Sequence, residues 1–238
     1  MRLILTGGGV GENAKHAFSM FAKQVSGGKV LYIPLAEEEM TYDENFEWFK
    51  SQMEPYNITN IDIVYSAEEI TIERLNQAEG VFIGGGNAFL LLHLLKSCKA
   101  YTNLKNVLKT DKVVLGLSAG TTIFGKDINS CLKDDLKIVA NDKNNVGLKD
   151  TKGINIFEDY AFFVHYKLKE SQLEATKEKV QRILDLGTNV ICLPEDANLF
   201  VTENQIDVFG ASPVEVFTRY KTATIYPNQK IDLNALVE

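Results

Sequence analysis

The sequence predicts an α/β fold: a mostly parallel sheet with helices on both faces and an antiparallel edge towards the C-terminus. Three observations carry this reading. Short, nearly uninterrupted apolar runs alternate with segments of helical periodicity through the first half, as expected of strands buried on both faces and joined by crossover helices. Turns bearing glycine or serine stand where three of these runs end. The last third changes to closely spaced apolar runs with a tight turn between two of them, the pattern of antiparallel strands.

Taken in order, Leu3 to Leu5 is a first strand that runs into Gly7-Gly8-Gly9. Asn13 to Gln24 places Ala17, Met20 and Phe21 on one helical face. Lys29 to Pro34 reads as a strand, Tyr42 to Met53 as an aromatic-rich helix, Ile61 to Tyr65 as a strand and Ile70 to Gln77 as a helix. Gly80 to Ile83 is a strand ending in Gly84-Gly85-Gly86-Asn87, and Ala88 to Lys96 is a strongly apolar helix. Val113 to Leu117 is a strand ending at Ser118. Beyond it come a strand at Ala161 to Val164 and a helix at Glu170 to Leu186. Short strands follow at Val190 to Leu193, Leu199 to Thr202, Ile206 to Phe209 and Glu215 to Tyr220. Glu203-Asn204-Gln205 reads as a hairpin turn.

A chain of 238 residues is long enough for one large core, and with no linker, repeat or low-complexity stretch, residues 1–238 are expected to form a single domain. A formal net charge of −7 gives no broad electrostatic footprint for nucleic acid or for an anionic membrane. The Lys-rich stretch from Lys133 to Lys152 is balanced by aspartates and reads as solvated surface. Cys98, Cys131 and Cys192 are odd in number and widely spaced, which fits neither a disulfide framework nor a zinc site and suits free thiols in a reducing compartment. No apolar run approaches the roughly 20 residues that span a bilayer, and the N-terminal apolar stretch is too short for a secretory signal. A cytoplasmic protein without metal or cofactor is expected.

Gly116-Leu117-Ser118-Ala119-Gly120 matches the G-x-S-x-G nucleophile elbow in its required setting, after an apolar strand and before a helix start. A sharp strand-to-helix turn strains the serine backbone and lifts its hydroxyl above the sheet, with the N–H of Ala119 aimed at the same place. A serine nucleophile needs a base, and the chain has three histidines. His16 lies in the first helix and His93 in an apolar helix where packing or capping is the expectation. His165 follows the strand Ala161 to Val164 and so sits at a strand's carboxyl end, level with Ser118. For the carboxylate that orients the imidazole, Glu195 after Val190 to Leu193 competes with Asp134 and Asp135, which lie in a polar, Lys-rich stretch.

The turn Gly84-Gly85-Gly86-Asn87 also ends a strand and opens a helix. Free N–H groups of Gly85 and Gly86 there can complete an oxyanion hole or grip an anionic ligand, with Asn87 beside them as a contributor or simply as a helix cap. Gly7 to Gly11 misses the dinucleotide spacing, because glycine would be needed where Glu12 stands.

Together these segments resemble the dipeptidase E and cyanophycinase family of serine peptidases. The resemblance rests on Gly84 to Leu92 against G-G-G-N-x-x-x-L-L, on Gly116 to Gly120 against G-x-S-A-G, on His165 after a further strand, and on Leu193-Pro194-Glu195-Asp196-Ala197-Asn198-Leu199 against L-P-E-x-x-x-L. The matches run in order from about Val81 to Gly210. The resemblance implies a class-I-glutamine-amidotransferase-like fold, a triad of Ser118, His165 and Glu195, and an oxyanion hole from the backbone of Gly86 and Ala119. It implies hydrolysis of small peptides such as aspartyl dipeptides, in a confined pocket. A monomer or homodimer is expected. Two departures stand out. Thr121 replaces a common alanine after the elbow and bears on the pocket floor. Tyr166 to Glu170 carries Lys167 where the family has an arginine suited to an acidic side chain, and lysine is no bidentate clamp. An amidase or esterase on the same scaffold, or a ligand sensor that has lost catalysis, are the competing readings.

Overall fold

A computed structural model of the chain describes residues 1–136, 138, 142–166 and 170–236. Its principal sheet has seven strands. Five are parallel: β1 (Arg2–Thr6), β2 (Val30–Ile33), β3 (Ile61–Ile63), β4 (Gly80–Ile83) and β5 (Val113–Leu117). β8 (Ala197–Val201) runs antiparallel to β1, and β9 (Ile206–Gly210) antiparallel to β8, giving the order β3-β2-β4-β5-β1-β8-β9. The turn between β8 and β9 closes with the N–H of Thr202 donating to the carbonyl of Gln205, where the hairpin was expected.

Alternate residues along these strands enter different cores, which is why the sequence shows apolar runs rather than alternation. Ile4, Val30, Tyr32, Phe82, Val113 and Leu115 face one side, against α1 (Lys15–Val25) and α2 (Tyr42–Met53). Leu3, Leu5, Leu31, Ile33, Val81 and Val114 face the other, against α3 (Ile72–Gln77), α4 (Ala88–Lys96) and α5 (Ala100–Val107). Phe82 is the hub of the first side, its ring centroid 4.6 Å from Phe49, 5.6 Å from Tyr32, 5.7 Å from Phe18 and 6.0 Å from Phe21.

The sequence led us to expect one sheet. The structure adds a second, of four strands, in the order β11-β10-β7-β6. β6 (Tyr160–Val164) and β7 (Asn189–Leu193) are parallel, and β10 (Val214–Phe217) and β11 (Thr222–Ile225) are antiparallel additions. Its Phe162, Ile191, Leu193 and Val216 join the core shared with α4 and α5. Its other face, with Phe163, Val190 and Cys192, packs on Val180 and Ile183 of α7 (Leu173–Asp185). Among the described residues no disulfide forms, and Cys131 and Cys192 are buried. No helix among the described residues is long and apolar enough to cross a membrane.

Candidate active site

The elbow is built by close approach. β5 runs into α6 (Ala119–Thr122) through Ser118, whose φ of 51° and ψ of −107° lie outside the ordinary regions. A methyl group on Gly116 would stand 2.4 Å from the carbonyl oxygen of Gly120, and one on Gly120 would stand 2.3 Å from that of Ile83, so the glycines of the motif are sterically required. Thr121 is fully buried. Its hydroxyl accepts from the N–H of Thr6 at 3.0 Å and lies 2.7 Å from the carbonyl oxygen of Gly116 and 2.8 Å from that of Thr6. It is a brace between β1 and β5 under the elbow, where a different pocket floor was expected.

Parallel register assembles the other two side chains. β6 and β7 pair in step, Val164 beside Leu193, so the residues just beyond, His165 and Pro194-Glu195, emerge together at one edge. The segment is pinned by the N–H of His165 donating to the carbonyl of Gly7 at 2.9 Å and that of Tyr166 to the carbonyl of Leu193 at 3.1 Å. His165 takes a φ of 54°, the second non-glycine in this site with positive φ.

The result is a continuous line of hydrogen bonds. Ser118 Oγ lies 2.8 Å from His165 Nε2, and His165 Nδ1 lies 2.8 Å from Glu195 Oε1. Asn13 Nδ2 donates to the second oxygen, Oε2, at 3.2 Å. The hydrogen bond with the His165 ring holds the Glu195 carboxyl below the usual carboxylate range against the opposing effect of its partial burial, and Asn13 assists. Both side chains are shielded, at 19% and 20% exposure for His165 and Glu195.

The turn that follows β1 is the component that sequence reasoning missed. Gly8 has φ +109°, and a methyl group there would stand 2.4 Å from His165 Cε1 and 3.0 Å from Ser118 Cβ. The N–H of Gly9 donates to the carbonyl of Glu195 at 3.3 Å. Thus Gly7 to Gly9 are the floor on which the imidazole lies. The signal was the glycine run itself, once β1 is known to adjoin β5 with Thr6 beside Leu117. Asn13 carried no sequence signal.

Gly85 lies against the serine; a methyl group on it would be 3.4 Å from Ser118 Cβ. No hydrogen bond among the described residues uses the N–H of Gly85, Gly86 or Ala119. Asn87 is the N-cap of α4. Its Oδ1 accepts from the N–H groups of Phe89 and Leu90, and its Nδ2 donates to Glu38 Oε2 and to the carbonyl of Lys143, each at 2.9 Å.

The rival groups lie elsewhere. Asp134 pairs with Lys179 Nζ at 2.8 Å and Asp135 with Arg182 at 2.6 Å, both on α7. His16 and His93 are exposed on α1 and α4, His93 in the last turn of α4. Lys167 lies outside the described residues. No group of three or more potential metal ligands occurs among the described residues.

Beside Ser118 and His165 opens a cavity of about 280 Å³, walled by Val10, Tyr32, Glu37, Met40, Trp48 and the Gly85-Gly86 turn. Larger cavities along α7 contain neither Ser118 nor His165.

The chain is similar to known proteins along most of its length. The model of peptidase family S51 matches residues 3–209. Peptidase E of a Nostoc species is 23% identical over 211 residues, covering 86% of this chain and 82% of that protein. Peptidase E of Shigella flexneri is 22% identical over 208 residues, covering 85% and 86%. Among solved structures, a peptidase from an acI-B1 actinobacterium superposes with a TM-score of 0.72 at 16% identity, covering 98% of this chain and 96% of its own. A Listeria monocytogenes EGD-e protein described as a candidate peptidase E gives 0.69 at 22% identity, covering 89% and 98%. These two likenesses show a shared fold.

Proposed function

We propose, from the premise that this chain belongs to peptidase family S51 and is a serine peptidase, that it hydrolyses short peptides through Ser118, His165 and Glu195. The observation that carries the proposal is the pair of 2.8 Å contacts linking Ser118 Oγ, the His165 ring and Glu195. Ser118 Oγ bonds to the peptide carbonyl carbon while its proton passes to His165 Nε2. Glu195 holds the ring in the tautomer with Nδ1 protonated and stabilises the imidazolium that forms. The N–H groups of Gly86 and Ala119, with Gly85 beside them, bear the negative charge that builds on the carbonyl oxygen. His165 then gives its proton to the departing amine, and water delivered through the same base releases the acyl group. Asn87 acts by capping α4 and so fixing the glycine turn, rather than by touching substrate.

The size of the cavity favours short peptides, since about 280 Å³ lies at the lower end of small-molecule sites. The reading takes residues 1–238 as one domain acting in the cytoplasm as a monomer or homodimer, with neither nucleic acid nor membrane as a partner. A panel of dipeptides and simple esters tests it. The parent chain is expected to cleave dipeptides faster than esters, and Ser118→Ala to lower the rate by several powers of ten. A Ser118→Ala variant that kept the parent rate would sink the proposal.

A further inference from the structure

The cavity beside Ser118 has a charge character opposite to that of a site for acidic side chains. We propose that it selects a substrate residue bearing a cation, with Glu37 as the counter-charge. The inference rests on the reading above only for placing the substrate beside Ser118.

Among the described residues, the ionisable side chains lining this cavity include the carboxylate of Glu37 and the ring of His165, and no lysine or arginine. Glu37 leaves the end of β2 and folds back on its own loop. Its Oε1 accepts from the N–H of Glu39 at 2.8 Å and of Glu38 at 3.0 Å, which fixes the carboxylate. Its other oxygen, Oε2, enters no hydrogen bond or ion pair among the described residues. The wall around it is aromatic and soft. The half-buried Trp48 and the rings and chains of Tyr32, Met40 and Val10 can cover an alkyl stem, and an indole face adds attraction for a cation.

Hydrogen bonds brace one side of this wall. Asn45 Nδ2 donates to the carbonyls of Thr41 and Met40 at 3.1 and 3.4 Å, while its Oδ1 accepts from the Tyr32 hydroxyl at 3.4 Å. This ties the loop carrying Glu37 to α2, whose start is locked by a capping box of Thr41 and Glu44. The burial of Tyr32, and then the charge of Glu37, push the Tyr32 phenol upward, consistent with a carboxylate close to the cavity floor. An organic cation meets a preset charge there, while an aspartate side chain meets repulsion with no described cation to offset it.

Two sources of that cation are open, a lysine or arginine side chain and the free α-ammonium of a dipeptide, and the test separates them. Calorimetry on the Ser118→Ala chain at low salt compares N-acetyl-lysinamide, N-acetyl-norleucinamide, norleucinamide and the α-amide of N-acetyl-aspartate. The proposal predicts about tenfold or more tighter binding for N-acetyl-lysinamide than for N-acetyl-norleucinamide if the side chain is read. It predicts the same advantage for norleucinamide over its acetylated form if the α-ammonium is read. In Glu37→Gln that advantage falls to near unity. Equal binding of charged and neutral ligands, preference for the aspartate amide, no binding of any of them, or an advantage that survives in Glu37→Gln each overturns it. Fluorophosphonate labelling of Ser118 in the parent chain reports separately on the peptidase reading.

Discussion

Glu195 keeps its charge to lower pH than a free glutamate because the His165 ring and the Asn13 amide both donate to it. Its folded-state pKa lies below the ordinary value of 4.5, so its contribution to stability is complete above about pH 4.5 and is lost as the pH falls through the lowered value. Denaturant midpoints of the parent and Glu195→Gln chains, followed from pH 6 to pH 3, should therefore differ by a constant amount at first and converge on acidification. A gap that widened on acidification would contradict this. Gly8 makes a sharper residue-scale prediction. In Gly8→Ala the new methyl group meets the His165 ring at 2.4 Å and sits at positive φ, so the imidazole must move. We expect kcat to fall by about a hundredfold with the fold retained by circular dichroism; unchanged kcat would refute the packing argument. At this scale the sequence was most legible where chemistry forces a local pattern. Ser118 is visible because only small neighbours fit around an elbow, and His165 because few histidines compete. Asn13 and Gly8 were opaque, since their roles arise from contacts across more than a hundred residues of chain.

At the scale of elements, the paired strands β6 and β7 do what neither does alone: parallel register carries His165 and Glu195 to one edge. Both strands were legible as apolar runs. Their partnership was not, because pairing is set by tertiary contacts. Helix α5 was missed because its buried Ala100, Leu104 and Val107 are diluted by lysine and asparagine. Strand β11 was missed because three of its four residues are not buried, which leaves almost no alternation to read. The helical side of β4 supplies the test of packing. Phe82 touches four aromatic rings from β2, α1 and α2, so Phe82→Ala should cost about 3–5 kcal/mol in urea unfolding. A loss under about 1 kcal/mol would mean that the cluster collapses around the gap.

For the whole molecule, the site is a seam. Ser118 comes from the seven-stranded sheet, His165 and the Glu195 segment from the ends of the four-stranded one, and the Gly7 to Gly9 turn bridges them. The mostly parallel fold and its antiparallel edge were legible from the changing rhythm of apolar runs. The division into two sheets was not, since the sequence marks strands and not their neighbours. The seam also makes the C-terminal strands matter. β10 pairs with Val190, Ile191 and Cys192 of β7, so removing residues 211–238 exposes the strand that leads into Glu195. Such a truncation should lose cooperative unfolding and hydrolysis together; a fully active truncated chain would show that the second sheet does not hold the site. The central claim, that Ser118 is activated by His165 held by Glu195, is met most directly by reacting the chain with a fluorophosphonate and locating the adduct by mass spectrometry. The account predicts one adduct, on Ser118, formed by the parent chain and suppressed in His165→Ala. An unmodified Ser118 under conditions that label a control serine hydrolase, or equal labelling without His165, would contradict it.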